Sequence, residues 1–168
     1  RDKIACMNDD FLCFSPSAPS SRLILLHGWG ADAEDLIPIG QHLISLYDSK
    51  SVELVSLRAP HIHPQQIGRQ WYELFPADWN AVPKELFNLR VRLEAFRDSA
   101  IPLEKTVLFG FSQGGAMALA SGCDLPLAGV ISCSGYPHPG WCPPARRPPV
   151  VLSHGINDEI VPYTASKK

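Results

Sequence analysis

Short apolar runs of strand length alternate along most of this chain with segments in which apolar residues recur every three to four positions. The apolar runs cover residues 22–27, 52–57, 106–111, 127–133 and 150–153, and the segments of helical period cover residues 31–46, 83–99 and 113–121. Continuously apolar strands joined through helices are typical of parallel sheets covered on both faces. Residues 4–14 are expected to add an antiparallel strand or hairpin. The pattern therefore predicts an α/β fold, a mostly parallel sheet with helices on both faces, in a single domain over residues 1–168.

The composition excludes several classes of function. The formal net charge is −2 and hydrophobic residues make up 45% of the chain, a balance that argues against nucleic-acid binding and against a basic membrane-binding patch. No apolar run approaches the roughly 20 residues of a membrane-spanning helix, and residues 1–13 lack the apolar core of a signal peptide. The five cysteines have neither C-x-x-C nor metal-site spacing, so we expect reduced thiols, no metal ion and a cytoplasmic setting.

The turn between the third predicted strand and the third predicted helix carries the strongest chemical signal. Residues 110–115 read GFSQGG, which matches the G-x-S-x-G pattern of a nucleophile on a sharp strand-to-helix bend. Ser112 would project above the sheet, and the crowding of such a bend requires glycine on both sides. The following helix would aim its N-terminus at the site, with the backbone N–H of Gln113 as one oxyanion donor. The alternative is a glycine-rich turn with an idle serine, while a P-loop is excluded because no Gly-Lys-Ser/Thr follows.

The first predicted strand ends in the sequence LLHGWG at residues 25–30, which predicts a second hydrogen-bond donor to the oxyanion. Its two glycines let the backbone turn toward the nucleophile, and we assign the N–H of Trp29 to this role. A dinucleotide-binding loop is the competing interpretation, since G-x-G after a strand and before a helix resembles that fingerprint. It requires an acid at the end of the next strand, where residues 56–58 read SLR.

Asp158 is the candidate acid. It follows the fifth predicted strand, after the turn at residues 155–157 and before the apolar residues 160–162. A carboxylate just past a strand end can reach across the top of a sheet to orient a histidine, and its place after Ser112 matches the chain order Ser…Asp…His. The alternatives are a surface residue or a helix cap, and Glu159 is the weaker candidate acid.

Together these segments resemble the phospholipase/carboxylesterase family of α/β-hydrolases, which includes acyl-protein thioesterases. The matching pieces are LLHGWG at 25–30, RAP at 58–60, QWYE at 70–73, GFSQGG at 110–115 and HGINDEIVP at 154–162. The resemblance implies an α/β-hydrolase fold and cofactor-free hydrolysis of carboxylic esters or thioesters, with small esters, lysophospholipids or lipidated proteins as substrates. It assigns Ser112 as the nucleophile, Asp158 as the acid, and Trp29 and Gln113 as the oxyanion donors.

The chain departs from the family pattern at the catalytic base. That base is a histidine in a Gly-His pair some tens of residues after the acid, whereas all six histidines here precede Asp158. We therefore expect a hydrolase truncated at its C-terminus, without the last strand and helix of the fold, since residues 150–152 would otherwise form an apolar edge. Such an edge would also favour a homodimer. The alternative is a non-catalytic pseudo-hydrolase that binds an acyl ligand or a protein partner.

Residues 58–82 form a long connection rich in aromatic side chains, and connections of this length are uncommon unless they are functional. We expect four of these side chains to line an acyl groove beside the nucleophile: Trp71, Tyr72, Phe75 and Trp79. The alternative is that they pack the connection onto the core.

Overall fold

The strand order shows how the chain winds into its sheet. The computed structural model describes residues 4–48, 50–97 and 99–167, with side chains described from residue 8 onward. These residues form nine strands: β1 (Ile4–Met7), β2 (Phe11–Ser15), β3 (Ser21–Leu26), β4 (Val52–Leu57), β5 (His61–Ile62), β6 (Arg69–Gln70), β7 (Thr106–Phe111), β8 (Gly129–Cys133) and β9 (Val150–Ser153). Seven of them make one sheet in the order β1-β2-β4-β3-β7-β8-β9, while β5 and β6 form a separate antiparallel hairpin.

The register of the parallel strands brings their carboxyl ends to one edge. Strands β4, β3, β7, β8 and β9 run parallel, and β1 and β2 form the expected antiparallel hairpin. Leu26 lies opposite Gly110, and Cys133 lies opposite both Phe111 and Ser153. The segments that leave β3, β7, β8 and β9 therefore begin side by side, as is usual for binding sites in open α/β sheets.

Helices cover both faces of the sheet. They are α1 (Ile37–Tyr47), α2 (Val82–Glu94) and α3 (Gln113–Gly122). Along β3, Leu23 and Leu25 belong to the apolar cluster that includes Ile44 of α1, whereas Ile24 and Leu26 belong to the cluster that includes residues of α2 and α3. Because successive side chains of a strand point to opposite faces, β3 is buried on both sides. The mostly parallel sheet with helices on both faces is confirmed.

The first helix begins later than its periodicity predicts. It was expected from residue 31, but α1 starts at Ile37. Pro38 is the reason, because proline has no N–H and fits only the first turn of a helix. The preceding residues instead form tight turns, in which Asp35 donates to the carbonyl of Asp32 and Ile37 donates to that of Glu34.

The second helix ends sooner than predicted. It was expected over residues 83–99, but α2 runs from Val82 to Glu94. Beyond it Phe96 donates its N–H to Leu93 at 3.1 Å and Arg97 donates to Glu94 at 2.9 Å. Bonds with this three-residue spacing tighten the backbone out of the α-helix, as is common at helix ends. The predicted strand 127–133 likewise starts later, at Gly129.

Strand β9 lies at one edge of the sheet that the described residues form. Val151 and Leu152 on this strand are exposed, so the apolar edge expected from residues 150–152 is present. No helix within residues 4–48, 50–97 and 99–167 combines the length and the apolar character needed to cross a membrane.

Candidate active site

Ser112 occupies a tight turn between β7 and α3. Its φ of 55° and ψ of −117° lie outside the regions that non-glycine residues ordinarily adopt. Its backbone N–H donates to the carbonyl oxygen of Cys133 at 2.9 Å, and its own carbonyl oxygen accepts the N–H of Ala116 at 3.0 Å. The bend is thus tied to the end of β8 on one side and to the first turn of α3 on the other.

Two glycines around Ser112 have no room for a side chain. A Cβ on Gly110 would lie 2.1 Å from the carbonyl oxygen of Gly114, and a Cβ on Gly114 would lie 2.1 Å from that of Leu26. Both distances are far below van der Waals contact, so the bend requires glycine at both positions. This close approach also brings the start of α3 against the end of β3.

Gln113 begins α3 and joins this helix to the long connection. The first N–H groups of a helix have no acceptor within the helix, so the backbone N–H of Gln113 suits the predicted oxyanion role. Its buried side chain accepts the backbone N–H of Trp71 at 2.9 Å and donates to the carbonyl of Tyr72 at 2.9 Å. These two bonds anchor the connection beneath the nucleophile turn.

The segment after β3 passes directly beside Ser112. A Cβ built on Gly28 would lie 3.6 Å from the Cβ of Ser112. Gly30 has a φ of 79° and donates its N–H to the carbonyl of Arg69 at 2.8 Å. The backbone of Trp29 lies between these two glycines, and Trp29 borders the same cavity as Ser112.

Asp158 lies in the loop after β9 and is held by its neighbours. Its Oδ1 accepts the backbone N–H of Ile160 at 3.0 Å and of Val161 at 2.9 Å. Hydrogen bonds from the Val161 N–H and the Ser134 side chain lower the pKa of Asp158 below its ordinary value, with further help from the N–H of Ile160 and the charge of His154. The carboxylate is therefore charged and oriented at neutral pH.

A cavity of about 410 Å³ brings these residues together. Its lining comes from Asp35 and from four segments at the carboxyl ends of neighbouring strands. The lining residues of these segments are Gly28, Trp29, Gly30, Ala31, Phe111, Ser112, Ser134, Asp158, Ile160 and Val161. Sequence reasoning missed Ser134 as a site residue. The signal that could have found it is its place directly after β8, next to the nucleophile's own strand.

None of the six histidines of this chain is among the residues that line the cavity. The Nε2–H of His154 donates to the carbonyl of Val161 at 2.7 Å, its Nδ1 is hydrogen-bonded to the Ser166 hydroxyl, and the Asp158 carboxylate is 3.5 Å from Nε2. His27 is fully buried, where its Nε2 accepts the N–H of Ala59 at 3.0 Å, and burial lowers the pKa of His27. Both side chains hold loops in place.

The four aromatic residues of the long connection do not line this cavity. Trp71 and Tyr72 are about 1% exposed; the Trp71 indole donates to the carbonyl of His27 at 2.9 Å, and the Tyr72 hydroxyl lies 2.6 Å from that of Tyr136. Phe75 and Trp79 are exposed. The structure thus places the first two in the core beneath the bend and the other two at the surface.

Among the residues that the structure describes, no group of histidine, cysteine, aspartate and glutamate side chains could hold a metal ion. The part of the Ser112 cavity lining that the structure describes likewise contains no lysine or arginine that could bind a phosphate group. The arrangement offers a hydroxyl on a strained turn, adjoining backbone N–H groups and an oriented carboxylate. Such a set suits attack on a carbonyl carbon.

Comparisons with known proteins found relatives of this chain by sequence and by structure. The sequence model of the phospholipase/carboxylesterase family matches residues 9–168. Acyl-protein thioesterase 1 of Neurospora crassa is 31% identical over 119 residues, which cover 55% of this chain and 46% of that protein. A probable carboxylesterase of Oryza sativa is 35% identical over 100 residues, 55% of this chain and 38% of that protein. The chain thus spans about half the length, or less, of these curated relatives.

A solved structure and a further sequence relative match a larger part of this chain. The crystal structure of esterase PE8 is similar with a TM-score of 0.81 and 30% sequence identity, covering 92% of this chain and 78% of that one. Acyl-protein thioesterase 1 of Yarrowia lipolytica is 23% identical over 171 residues, 90% of this chain and 75% of that protein. The similarity therefore extends over nearly the whole chain.

Proposed function

Because this chain belongs to the phospholipase/carboxylesterase family, we propose that it cleaves carboxylic esters or thioesters through an acyl-enzyme on Ser112. Its mostly parallel sheet with flanking helices is the α/β-hydrolase fold expected from the sequence. The observation that carries the proposal is the positive φ of Ser112 at the border of the cavity it shares with Trp29 and Asp158. A serine keeps such a conformation only where its surroundings enforce it, and residues of this kind cluster at active sites.

In the proposed first step the Oγ of Ser112 attacks the carbonyl carbon of the substrate and gives its proton to a base. The backbone N–H groups of Gln113 and Trp29 donate to the oxyanion that forms. The C–O or C–S bond then breaks, and the leaving alcohol or thiol takes the proton from the base. Water attacks the acyl-enzyme by the same route, which releases the carboxylic acid and restores Ser112.

Asp158 has the part of the orienting acid in this proposal. Two backbone N–H groups hold its Oδ1, which leaves the other oxygen for the N–H of an imidazole. Its lowered pKa keeps it anionic at neutral pH, so that it stabilises the imidazolium formed when the base accepts a proton. Asp158 is not itself protonated in this scheme.

The base is the remaining component. The family resemblance makes it a histidine, and none of the six histidines present lines the cavity. The proposal therefore assigns the base to a histidine outside these 168 residues. That histidine has to approach the cavity between Ser112 and Asp158.

A pseudo-hydrolase is the second candidate function, and the lack of a histidine beside Ser112 among the described residues favours it. A serine hydroxyl without a base is a weak nucleophile. The same cavity would then hold an acyl ligand, or the surrounding surface a protein partner, without turnover.

A fluorophosphonate probe separates the two functions, because it reacts with serines that a base and an oxyanion site activate. The Oγ of Ser112 should displace fluoride from phosphorus, so that the protein expressed from its complete gene gains the mass of the phosphonyl group, the probe less HF, on the peptide that contains Ser112. The Ser112→Ala variant should gain none, and Ser45→Ala, which changes an exposed serine of α1, should label as the parent does. A protein that is folded by circular dichroism yet unlabelled at Ser112 would rule out the enzyme and leave the pseudo-hydrolase.

The substrates are carboxylic esters or thioesters. The names of the relatives suggest small carboxylic esters and S-acylated proteins, and we include lysophospholipids among the candidates, with the reaction taking place in the cytoplasm. For a chain of these 168 residues alone, a second copy is supported by the exposed Val151 and Leu152 at the edge strand β9, since exposed edges pair with other strands. Sedimentation of the parent and of a Val151→Lys variant would test a dimer through this edge.

A further inference from the structure

Trp29 is shared by the Ser112 cavity and an aromatic cluster on the β5–β6 side of the molecule. Its ring lies 4.0 Å from that of His63 and 5.2 Å from that of Phe75, centroid to centroid and nearly perpendicular in both pairs. Its indole N–H donates to the side chain of Gln70 at 2.8 Å. His63, Gln70 and Phe75 do not line the Ser112 cavity, whereas Trp29 does. Trp29 therefore adjoins the cavity on one side and the hairpin on the other.

The indole is held in this position from several directions. The amide of Gln70 is buried and donates in turn to Glu73 at 2.9 Å, so its oxygen is oriented toward the indole N–H. His63 beneath the ring is about 1% exposed. A side chain with one hydrogen bond and two aromatic neighbours loses little further entropy when a ligand packs against it.

The backbone on either side of Trp29 is tied to the hairpin as well. Gly30 donates to the carbonyl of Arg69 at 2.8 Å, and Arg69 donates to that of Ala31 at 2.7 Å. Gly68 approaches so closely that a Cβ there would lie 2.3 Å from the carbonyl oxygen of Gly30. The backbone on either side of Trp29 therefore cannot move away from the hairpin without breaking these hydrogen bonds.

From this arrangement we propose that Trp29 closes the acyl subsite on the hairpin side and restricts the enzyme to short acyl chains. This inference rests on the hydrolase function proposed above. The acyl group lies in the cavity against Phe111, Ile160 and Val161, which supply its apolar lining beside Trp29. Each methylene of the acyl chain that fits into the cavity raises kcat/KM by about fourfold. An acyl chain long enough to reach the indole gains no further contact there, and its remaining methylenes must extend into solvent.

The test is the acyl-length profile of p-nitrophenyl esters from acetate through butyrate and octanoate to palmitate. The protein from the complete gene should have its highest kcat/KM at a short ester. Trp29→Leu removes the barrier and should raise the octanoate-to-butyrate ratio of kcat/KM by about tenfold. Gln70→Leu frees the indole without removing it and should shift the ratio in the same direction by a smaller factor. Trp141→Leu makes the same exchange at a tryptophan that does not line this cavity and should leave the ratio unchanged.

The outcomes distinguish this inference from the function on which it depends. If the parent hydrolyses these esters and neither Trp29→Leu nor Gln70→Leu alters the ratio, the role of Trp29 is wrong and the hydrolase function stands. A parent that already prefers palmitate has the same meaning. If the parent hydrolyses none of the esters and Ser112 takes up no fluorophosphonate, both proposals fall. Because Gln70→Leu retains Trp29, poor folding of one variant still leaves a measurement on the other.

Discussion

Ser112 donates its backbone N–H to the carbonyl oxygen of Cys133 at 2.9 Å, which joins the nucleophile turn to the end of β8. Ser134, which follows directly after that strand, has a φ of 51°, and its side chain lowers the pKa of Asp158. The end of β8 therefore supports both the candidate nucleophile and the candidate acid, although neither lies on this strand. Their relative position depends on the turn at Cys133 and Ser134.

Replacing Ser134 should raise the pKa of Asp158. Ser134→Ala removes a side chain that lowers this pKa, and the more basic carboxylate stabilises the imidazolium of the base more strongly. The pKa of that histidine, and with it the acid limb of the pH dependence of kcat/KM, should therefore move to higher pH. We expect kcat/KM at neutral pH to fall by about tenfold. Ser134→Gly, which suits the positive φ, should lose as much activity while remaining more stable than Ser134→Ala. Ser45→Ala is the control, and an unchanged pH profile in both Ser134 variants would contradict the prediction.

The conformation of Ser112 should cost stability. Glycine adopts positive φ readily, so Ser112→Gly should have a free energy of unfolding about 1 kcal/mol higher than that of Ser112→Ala. Urea unfolding of the two inactive variants measures the difference. The same pair of substitutions at Ser45 within α1 should give the opposite order, because glycine is unfavourable inside a helix. Equal stability of the two Ser112 variants would show that the turn is unstrained.

Gly114 should tolerate no side chain. A Cβ there meets the carbonyl oxygen of Leu26 at 2.1 Å, a backbone contact that cannot rotate away. We expect Gly114→Ala to lower the free energy of unfolding by about 3 kcal/mol or more. Gly129→Ala is the matched control, since its nearest neighbour would be an oxygen of Pro149 at 3.6 Å, and it should cost less than about 1 kcal/mol. Similar denaturant midpoints for the two variants would refute the argument.

Gln113 should matter for stability through its side chain as well as for chemistry through its backbone. Gln113→Leu leaves the buried N–H of Trp71 and the buried carbonyl of Tyr72 without their partners. The expected loss is about 2–4 kcal/mol in the free energy of unfolding, measured by urea titration. Gln41→Leu changes an exposed glutamine of α1 and should be close to neutral. A Gln113→Leu variant as stable as the parent would mean that these backbone groups find other partners.

His138 should make stability depend on pH. Its Nε2 lies 3.0 Å from the Tyr72 hydroxyl, and burial lowers the pKa of His138 from 6.5 to about 4. Between these values the unfolded chain binds a proton that the folded protein does not. The contribution is thus fully present above pH 6.5 and falls with decreasing pH by about 1.4 kcal/mol per pH unit.

Urea unfolding at a series of pH values from neutral to mildly acidic measures this slope. His138→Gln should flatten it by the stated amount, whereas His42→Gln, at an exposed position of α1, should leave it as in the parent. A parent and a His138→Gln variant with the same slope would show that His138 titrates alike in both states.

The strands, the parallel sheet and the bend at Ser112 could be predicted from the sequence because each depends on nearby residues. Runs such as 106–111 are apolar at successive positions, and the glycines beside Ser112 follow from the crowding of a bend that any chain of L-residues would meet. Helix limits were predicted less well. Because of Pro38, α1 starts later in the chain than predicted, and hydrogen bonds between residues three positions apart end α2 at Glu94.

Only the tertiary structure decided which loop side chains face the cavity. Trp71 and Tyr72 looked as suited to a substrate groove as Phe75, but the side chain of Gln113, some forty residues away in sequence, binds their backbone and turns them into the core. Ser134 carries no local signal that it lies near Asp158, because the two meet only once β8 and β9 are paired. Local sterics and periodicity act over a few residues, whereas the lining of a site depends on contacts between segments that are distant in the chain.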